Sequence, residues 1–442
     1  MSNIKKFFLK IKQITITELV KYCCYFFGSL AFLSIPLFTI KIPLLTWIFF
    51  AIFMISMLAF IAIRKRLSFC FISLATILFF VTALISTLVS KNKVTFTLFL
   101  LGLTFIFLMA FLFDKTVSVR FFGICLFISV ALFTIVFLIV YRNEIGKAIF
   151  FQESIPRLGA LFGDENEIAM YFAFGATISF YFLMFSKRKI KLIIVSSLLF
   201  ILFSFLGFLS GTKAFIISVV ISVFVLIVLF FGKKKWFLSL TIIIGIVVFL
   251  LLILQIPIFN TIKERLEQFI LSIFYNSSTD ASTSDRLTMI EDAFILFFRR
   301  PLFGYGINAY YYYSAFGGGG WTHNELSEIS SSYGIIGLIT YFFPHVFCFL
   351  SYYKSNVKQN LPLYLCLLIF VFSWMFSMPL ETIKFYPFCL ALICAGMCKS
   401  SVTTYHLFYE NKKFHFLTEK PIQIIDNQKS NKPQSDFDII VI

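Results

Sequence analysis

Residues 213–235 read KAFIISVVISVFVLIVLFFGKKK, with no charge from Ala214 to Phe231 and a triplet of lysines at Lys233, Lys234 and Lys235. A helix rises about 1.5 Å per residue, so this stretch is long enough to cross most of the roughly 30 Å of hydrocarbon in a bilayer. The basic triplet at its end marks a cytoplasmic boundary. The same reading outward gives spans at approximately 22–40, 43–63, 67–89, 94–113, 121–141, 166–185, 190–209, 214–231, 237–256, 330–350, 361–379 and 385–398. The short alternating segments of a β-barrel are absent. The sequence therefore predicts an all-α, polytopic integral membrane bundle of about 12 transmembrane helices.

Composition agrees. Of 442 residues, 60% are hydrophobic and 13% charged, against about a quarter charged in a soluble domain. The net charge of +17 is topological. With the N-terminus inside, cytoplasmic segments hold 25 of the 38 Lys and Arg residues, and the opposite side holds 14 of the 21 acidic ones. The positive-inside rule accounts for that asymmetry, which removes the case for a nucleic-acid partner. Both termini face the cytoplasm in this arrangement: residues 1–21 form an N-terminal segment, 22–398 the bundle, and 399–442 a polar tail expected to be partly disordered. The first apolar segment lacks a small-residue cleavage pattern and is read as retained. All nine cysteines fall in apolar segments, as helix-packing residues would. No phosphate-binding glycine motif and no metal-ligand pattern is evident, so neither cofactor nor metal is expected.

Two outer segments are longer than a connection requires, 142–165 and 257–329, the second lying between the ninth and tenth spans. Ile262, Leu266, Phe269, Ile270 and Ile273 share one face of a helix over Thr261–Tyr275 that can lie on the membrane surface. A polar linker, Asn276–Ser284, leads to a second helix over Asp285–Phe298 capped by Ser284 and carrying Arg286. Pro301 stops it, Pro301–Gly306 turns, and Tyr310–Tyr313 with Gly317–Gly320 make a flexible aromatic segment suited to a membrane interface. Thr322 and Glu325 have capping-box spacing and would open the tenth helix with His323 in its first turn. The helix dipole would keep that imidazole neutral, a setting for a general base. A solvated histidine beside a structural cap is the plainer alternative. In the other loop, Asp164 and Glu167 also have capping-box spacing, whereas Arg157 has no such explanation and offers a guanidinium suited to phosphate. Lys213 sits at the outer boundary, where snorkelling is its default role. His345 lies inside the tenth span with no evident partner.

Taken in order, Arg286, Pro301-Leu302-Phe303-Gly304-Tyr305-Gly306, His323-Asn324-Glu325 and Tyr333-Gly334-Ile335-Ile336-Gly337-Leu338 resemble the characteristic region of the O-antigen polymerase and O-antigen ligase family of bacterial envelopes. Arg157–Asn166 resembles an upstream segment of that family, with Glu165 where the family has proline; at Lys213 the family more often has arginine. The recognisable region covers roughly 155–215 and 284–340. The resemblance implies a metal-independent, inverting glycosyltransferase of the bacterial cytoplasmic membrane, acting on its outer side on an undecaprenyl-pyrophosphate-linked oligosaccharide and a glycan acceptor. Other polysaccharide-assembly proteins would be its partners. It implies His323 as the base, and Arg157, Arg286, Lys213 and Asn324 as pyrophosphate- or substrate-binding residues. A polymerase of surface-polysaccharide repeat units is the preferred activity. A ligase moving a finished glycan to another acceptor shares these residues, and a flippase for lipid-linked sugars is the alternative from a different class.

Overall fold

The computed structural model describes residues 15–38, 42–89, 96–151, 157–159, 161–162, 164–186, 190–232, 235–275, 281–314, 321–354, 361–378, 383–399, 404–410 and 413–419. Its helices are α1 (Ile16–Phe38), α2 (Pro43–Arg64), α3 (Phe71–Val89), α4 (Phe96–Phe113), α5 (Val119–Val140), α6 (Arg142–Phe151), α7 (Glu165–Phe185), α8 (Ile190–Leu209), α9 (Lys213–Phe231) and α10 (Trp236–Ile253). There follow α11 (Asn260–Tyr275), α12 (Ala281–Arg299), α13 (Ala309–Tyr313), α14 (Glu325–Lys354), α15 (Leu361–Met375) and α16 (Tyr386–Cys398). Among the described residues, nine helices are long and apolar enough to cross a membrane, and α4, α15 and α16 add shorter apolar stretches. The protein is an all-α polytopic membrane protein.

Helix α7 is buried from Ile168 through Tyr181, and α16 from Tyr386 through Ala395, so these two fill the centre of the bundle. They meet through aromatic rings: Phe385 lies 4.8 Å from Tyr171, 5.3 Å from Phe174 and 5.1 Å from Phe32 of α1. Helix α10 is the opposite case. Phe237, Ile244, Val248, Leu251 and Leu252 are all exposed along it, a surface solvated by lipid rather than by water. The cysteines pack as expected from their apolar setting: all nine are free thiols, and Cys348 of α14 lies 3.4 Å from Cys394 of α16.

Contacts gather the helix ends into two polar clusters. In the first, Arg64 Nε is 3.5 Å from Asp114 Oδ2, and the Thr116 amide and hydroxyl donate to Asp114 Oδ1 at 2.9 and 2.7 Å. Lys399 Nζ donates to the carbonyls of Leu112, Asp114 and Val117 at 2.8, 2.5 and 2.8 Å. Next to Arg64, strand β1 (Arg66–Phe69) pairs antiparallel with β2 (Thr404–Glu410), which pairs with β3 (Lys413–Glu419). The tail expected to be partly disordered thus contains two paired strands docked on the segment after α2, with Glu410 opposite Lys413.

The second cluster contains a broken helix. Gly334 interrupts α14 with φ 66° and ψ −162°, which frees carbonyls before the break and amides after it. The Pro301–Gly306 turn takes up both sets. Tyr305 and Gly306 donate to the Ser331 and Ser332 carbonyls at 3.0 and 2.8 Å, while Ile335 and Ile336 donate to the Pro301 and Leu302 carbonyls at 2.7 and 3.4 Å. Ser86 of α3 donates to the Phe303 carbonyl and, at 2.8 Å, to that of Ser332. The approach is close enough to require glycine on both sides: a Cβ on Gly304 would lie 2.5 Å from the Ser332 backbone, and one on Gly334 would lie 2.5 Å from the Leu302 carbonyl. Each also has positive φ.

Several sequence expectations shift. Helix α1 starts at Ile16, and the Thr15 hydroxyl accepts from the Glu18 amide at 3.3 Å, so Lys21 belongs to the first helix rather than preceding it. Helix α12 starts at Ala281, which makes Ser284 a first-turn residue and not its cap. The helices expected over Thr261–Tyr275 and Asp285–Phe298 are present as α11 and α12, and α6 and α13 are helices that were not expected. Tyr310 is buried against Ala293 and Leu296 of α12, so the tyrosine run is anchored, with Tyr311 and Tyr312 exposed; Gly317–Gly320 lie outside the described residues. His345 has partners. Its Nδ1 lies 3.2 Å from the Tyr341 carbonyl, which fixes that nitrogen as donor, and Nε2 accepts from the Tyr386 hydroxyl at 2.7 Å.

Candidate functional site

His323 does not sit in the first turn of a helix. Helix α14 begins at Glu325, and Asn324 is its cap: the Asn324 side-chain oxygen accepts from the Ser327 amide at 3.1 Å. His323 precedes the cap with φ 53°, a left-handed conformation uncommon outside glycine, and its side chain is half-buried. The Thr322–Glu325 capping box does not form. The carboxylate that reaches back is Glu328, whose Oε2 accepts from the Thr322 amide at 3.2 Å and from its hydroxyl at 3.1 Å.

The ring faces groups from three other segments. Burial holds the His323 pKa below the usual imidazole value and Arg286 pushes it further down; Asp164 and a hydrogen bond with the Ser377 backbone oppose both without reversing them. The structure places Arg286 within electrostatic reach of His323, and the neutral ring follows from burial and the guanidinium more than from a helix dipole. Asp164, whose spacing favours a cap over a catalytic role, is a cap and also bears on the site: its Oδ1 accepts from the Asn166 amide at 2.6 Å while its charge reaches His323.

Arg157 occupies the adjoining node. Its Nε donates to the Ser210 carbonyl at 3.1 Å, and one terminal nitrogen donates to Asn166 Oδ1 at 3.3 Å and Thr212 Oγ1 at 3.2 Å. The other lies 3.6 Å from a Glu165 carboxylate oxygen. The guanidinium thus ties the start of α7 to the turn between α8 and α9, where Lys213 is the first residue of α9 and half-buried. Glu165, in the place of the family's proline, is an ion-pair partner for Arg157. The same turn is held from the other side by Arg265 of α11, which donates to the Gly211 carbonyl at 2.9 Å.

Sequence reading passed over Arg265, Lys384 and Glu328. Lys384, just before α16, has its Nζ 5.2 Å from the Trp47 ring centroid; burial lowers its pKa and the Glu167 carboxylate opposes this. The signal available for Arg265 was its place on the polar face of an amphipathic helix, and nothing local pointed to Gly211. Among the described residues, no three His, Cys, Asp or Glu side chains gather as a metal set.

Beneath the turn lies a cavity of about 750 Å³ between α8, α9 and α10, lined by Phe205, Phe208, Phe215, Val219, Leu250 and Phe259 among other apolar side chains. Beyond its lining residue Phe259, α11 carries Lys263, whose Nζ donates to Gln255 Oε1 at 3.1 Å, and Arg265 two residues further on. An imidazole, guanidinium groups and an apolar cavity suit an anionic substrate with a long hydrocarbon tail.

Residues 198–342 match the O-antigen ligase family model. The match supports the O-antigen ligase and polymerase family, and it runs from α8 through the interlocked turn and His323 into α14. No curated protein matches the chain. That similarity indicates a function of the O-antigen ligase or polymerase type, and for proteins of that family it implies a glycosyltransferase-like enzyme with lipid-linked glycan and glycan acceptor substrates in a membrane.

Proposed function

We propose that the chain is a surface-polysaccharide polymerase that joins undecaprenyl-pyrophosphate-linked repeat units on the outer side of the bacterial cytoplasmic membrane. The observation that carries this reading is the meeting of a neutral-leaning His323 with Arg286, beside the loop that Arg157 organises. In the reaction, a hydroxyl of the acceptor sugar attacks the anomeric carbon of the donor. The bond from that carbon to the pyrophosphate oxygen breaks with inversion, and the polyprenyl pyrophosphate leaves with the electron pair. His323 takes the hydroxyl proton as the bond forms, and Arg286 stabilises charge developing on the departing phosphate. Arg157 and Lys213 add positive charge along the donor pyrophosphate. Asn324 acts through the cap it makes, which presents His323. No metal ion enters this scheme, because the donor is already activated.

The cavity beside the α8–α9 turn supports a donor with a polyprenyl tail. The two polar clusters support twelve crossings with both termini on the cytoplasmic side: Arg64, Asp114, Lys399 and the sheet gather at one end, and Ser86, Phe303, Ser210 and His323 contact partners at the other. Sidedness is testable by cysteine accessibility at exposed Tyr312.

A ligase reading uses the same residues and is favoured by the description of the matching family. Incubating purified protein with the lipid-linked repeat unit alone separates the two. A ladder of lengths supports the polymerase, and reaction only after a different acceptor is added supports the ligase. Transbilayer movement of the lipid-linked sugar without bond formation would make the chain a flippase instead.

A further inference from the structure

Glu328 and Thr322 are fully buried, and the two hydrogen bonds between them converge on one carboxylate oxygen, Oε2. The other oxygen, Oε1, is buried without a hydrogen-bond partner among the described residues. A carboxylate withdrawn from water and satisfied on one side only is costly, more so than a Gln or Ser serving as a plain loop anchor. Its geometry suggests what that cost sustains. Thr322 is fixed by Glu328, Asn324 is fixed by its cap on Ser327, and His323 stands between them with a left-handed backbone. Such a conformation is strained and persists only when its neighbours over-determine it. The Thr322 hydroxyl closes the arrangement by donating to the Asn324 carbonyl at 2.8 Å and accepting from the Asn324 amide at 3.3 Å, so the three residues move as a unit.

We infer that Glu328 is a positioning residue that holds the His323 ring in its working orientation through Thr322. The inference rests on His323 being the base, and it adds a residue that touches neither substrate nor ring. Glu328 lies in α14 three residues before Ser331, and Ser331 and Ser332 accept from the Pro301–Gly306 turn. One half-helix therefore carries both the clamp on His323 and the seam with the turn.

The test uses purified full-length protein and the undecaprenyl-pyrophosphate-linked repeat unit isolated from cells lacking this chain. Three quantities are read: kcat, KM, and the rate at which diethyl pyrocarbonate modifies His323, followed by peptide mass. For Glu328→Ala, kcat falls about 100-fold, the loss expected when a catalytic group is displaced by about 1 Å, while KM stays within about threefold. His323 is modified several-fold faster, because its ring is no longer held half-buried. Glu328→Gln keeps an acceptor for Thr322 and stays within about tenfold of the natural protein in kcat, with slow modification retained. Thr322→Val removes the hydroxyl, keeps the amide and falls between the two. In Glu328→Gln the acid limb of the rate profile stays in place, whereas in Glu328→Ala the ring loses the burial that lowers its pKa and the limb moves to higher pH.

An unchanged kcat in Glu328→Ala overturns the inference, as does a Gln variant as impaired as the Ala variant, which would assign the loss to the charge of the carboxylate and not to the hydrogen bonds that hold Thr322. His323→Ala separates this from the base itself. If that variant stays active while Glu328→Ala still exposes the ring, the clamp exists and the base has been misassigned. If His323→Ala is dead while Glu328→Ala keeps both rate and slow modification, the base stands and the clamp falls.

Discussion

The two polar clusters of the bundle use the same side-chain types in opposite ways. Where Arg64, Asp114 and Lys399 meet, unlike charges face each other and the ammonium caps three carbonyls. Burial acts to raise the Asp114 pKa, but the Thr116 hydrogen bonds and the Arg64 charge outweigh it and hold the carboxyl below its ordinary value. Where Arg286 and His323 meet, burial and a like charge both disfavour the protonated ring. The first arrangement stabilises; the second holds a group ready to accept a proton at a cost in stability. Opposed electrostatics of the second kind concentrate at working sites, which is why that end is the candidate for chemistry.

Removing His323 tests this contrast most severely. His323→Ala is expected to lower turnover by about 10²- to 10⁴-fold, the usual worth of a general base, with the melting temperature unchanged or slightly raised. Length-resolved glycan products and a thermal melt of the detergent-solubilised protein report the two effects. A variant with normal chain lengths would end the assignment.

Close behind is the seam between the turn and the broken helix. Gly334→Ala and Gly304→Ala each drive a Cβ into backbone at 2.5 Å and force positive φ on alanine, so each is expected to cost several kcal/mol and to lower abundance as well as activity. Normal expression of either would mean that the seam does not carry the helix break. At the other cluster, Lys399→Met leaves the Leu112, Asp114 and Val117 carbonyls without their donor and should cost about 1–3 kcal/mol, measured by denaturant titration. Turnover per folded molecule should not change. If it fell, the division between a stabilising end and a working end would be wrong.

What could be read from the sequence divides along local and distant effects. The spans were legible because hydropathy over about twenty residues is a local property, and α2, α8 and α9 lie close to where it put them. Arg286 and His323 were legible through the order and spacing of the motif that carries them. The break in α14 was not, because the Ile335 and Ile336 amides beyond Gly334 give up helical bonds only in exchange for the carbonyls of Pro301 and Leu302, from a different segment. The same limit explains the capping box: Thr322 and Glu325 have the right spacing, but Asn324 takes the cap and leaves Glu328 as the carboxylate within reach. Arg157 looked unexplained in a loop because its acceptors, Ser210 and Thr212, arrive from the next helical hairpin. The β2–β3 pairing was hidden because its neighbour β1 lies at the far end of the chain.

The smallest effect expected is also the most specific to the site. If neutral His323 accepts the proton, kcat/KM falls at low pH as the free enzyme's imidazole becomes protonated. Because burial first and Arg286 second lower that pKa, the acid limb lies below the ordinary imidazole value and activity persists further into acid than an exposed histidine would allow. Arg286→Gln removes one lowering influence, so the limb moves to higher pH. Asp164→Asn removes a raising one and moves it to lower pH. Opposite displacements from two charges on different helices are hard to produce by general damage to the fold, which changes the plateau and leaves the limb in place. A limb that moves with neither substitution would mean that the titrating group is not His323. Arg286 would then contribute to the site only by holding phosphate, and the two polar ends would differ in their ligands and not in how they set a proton affinity.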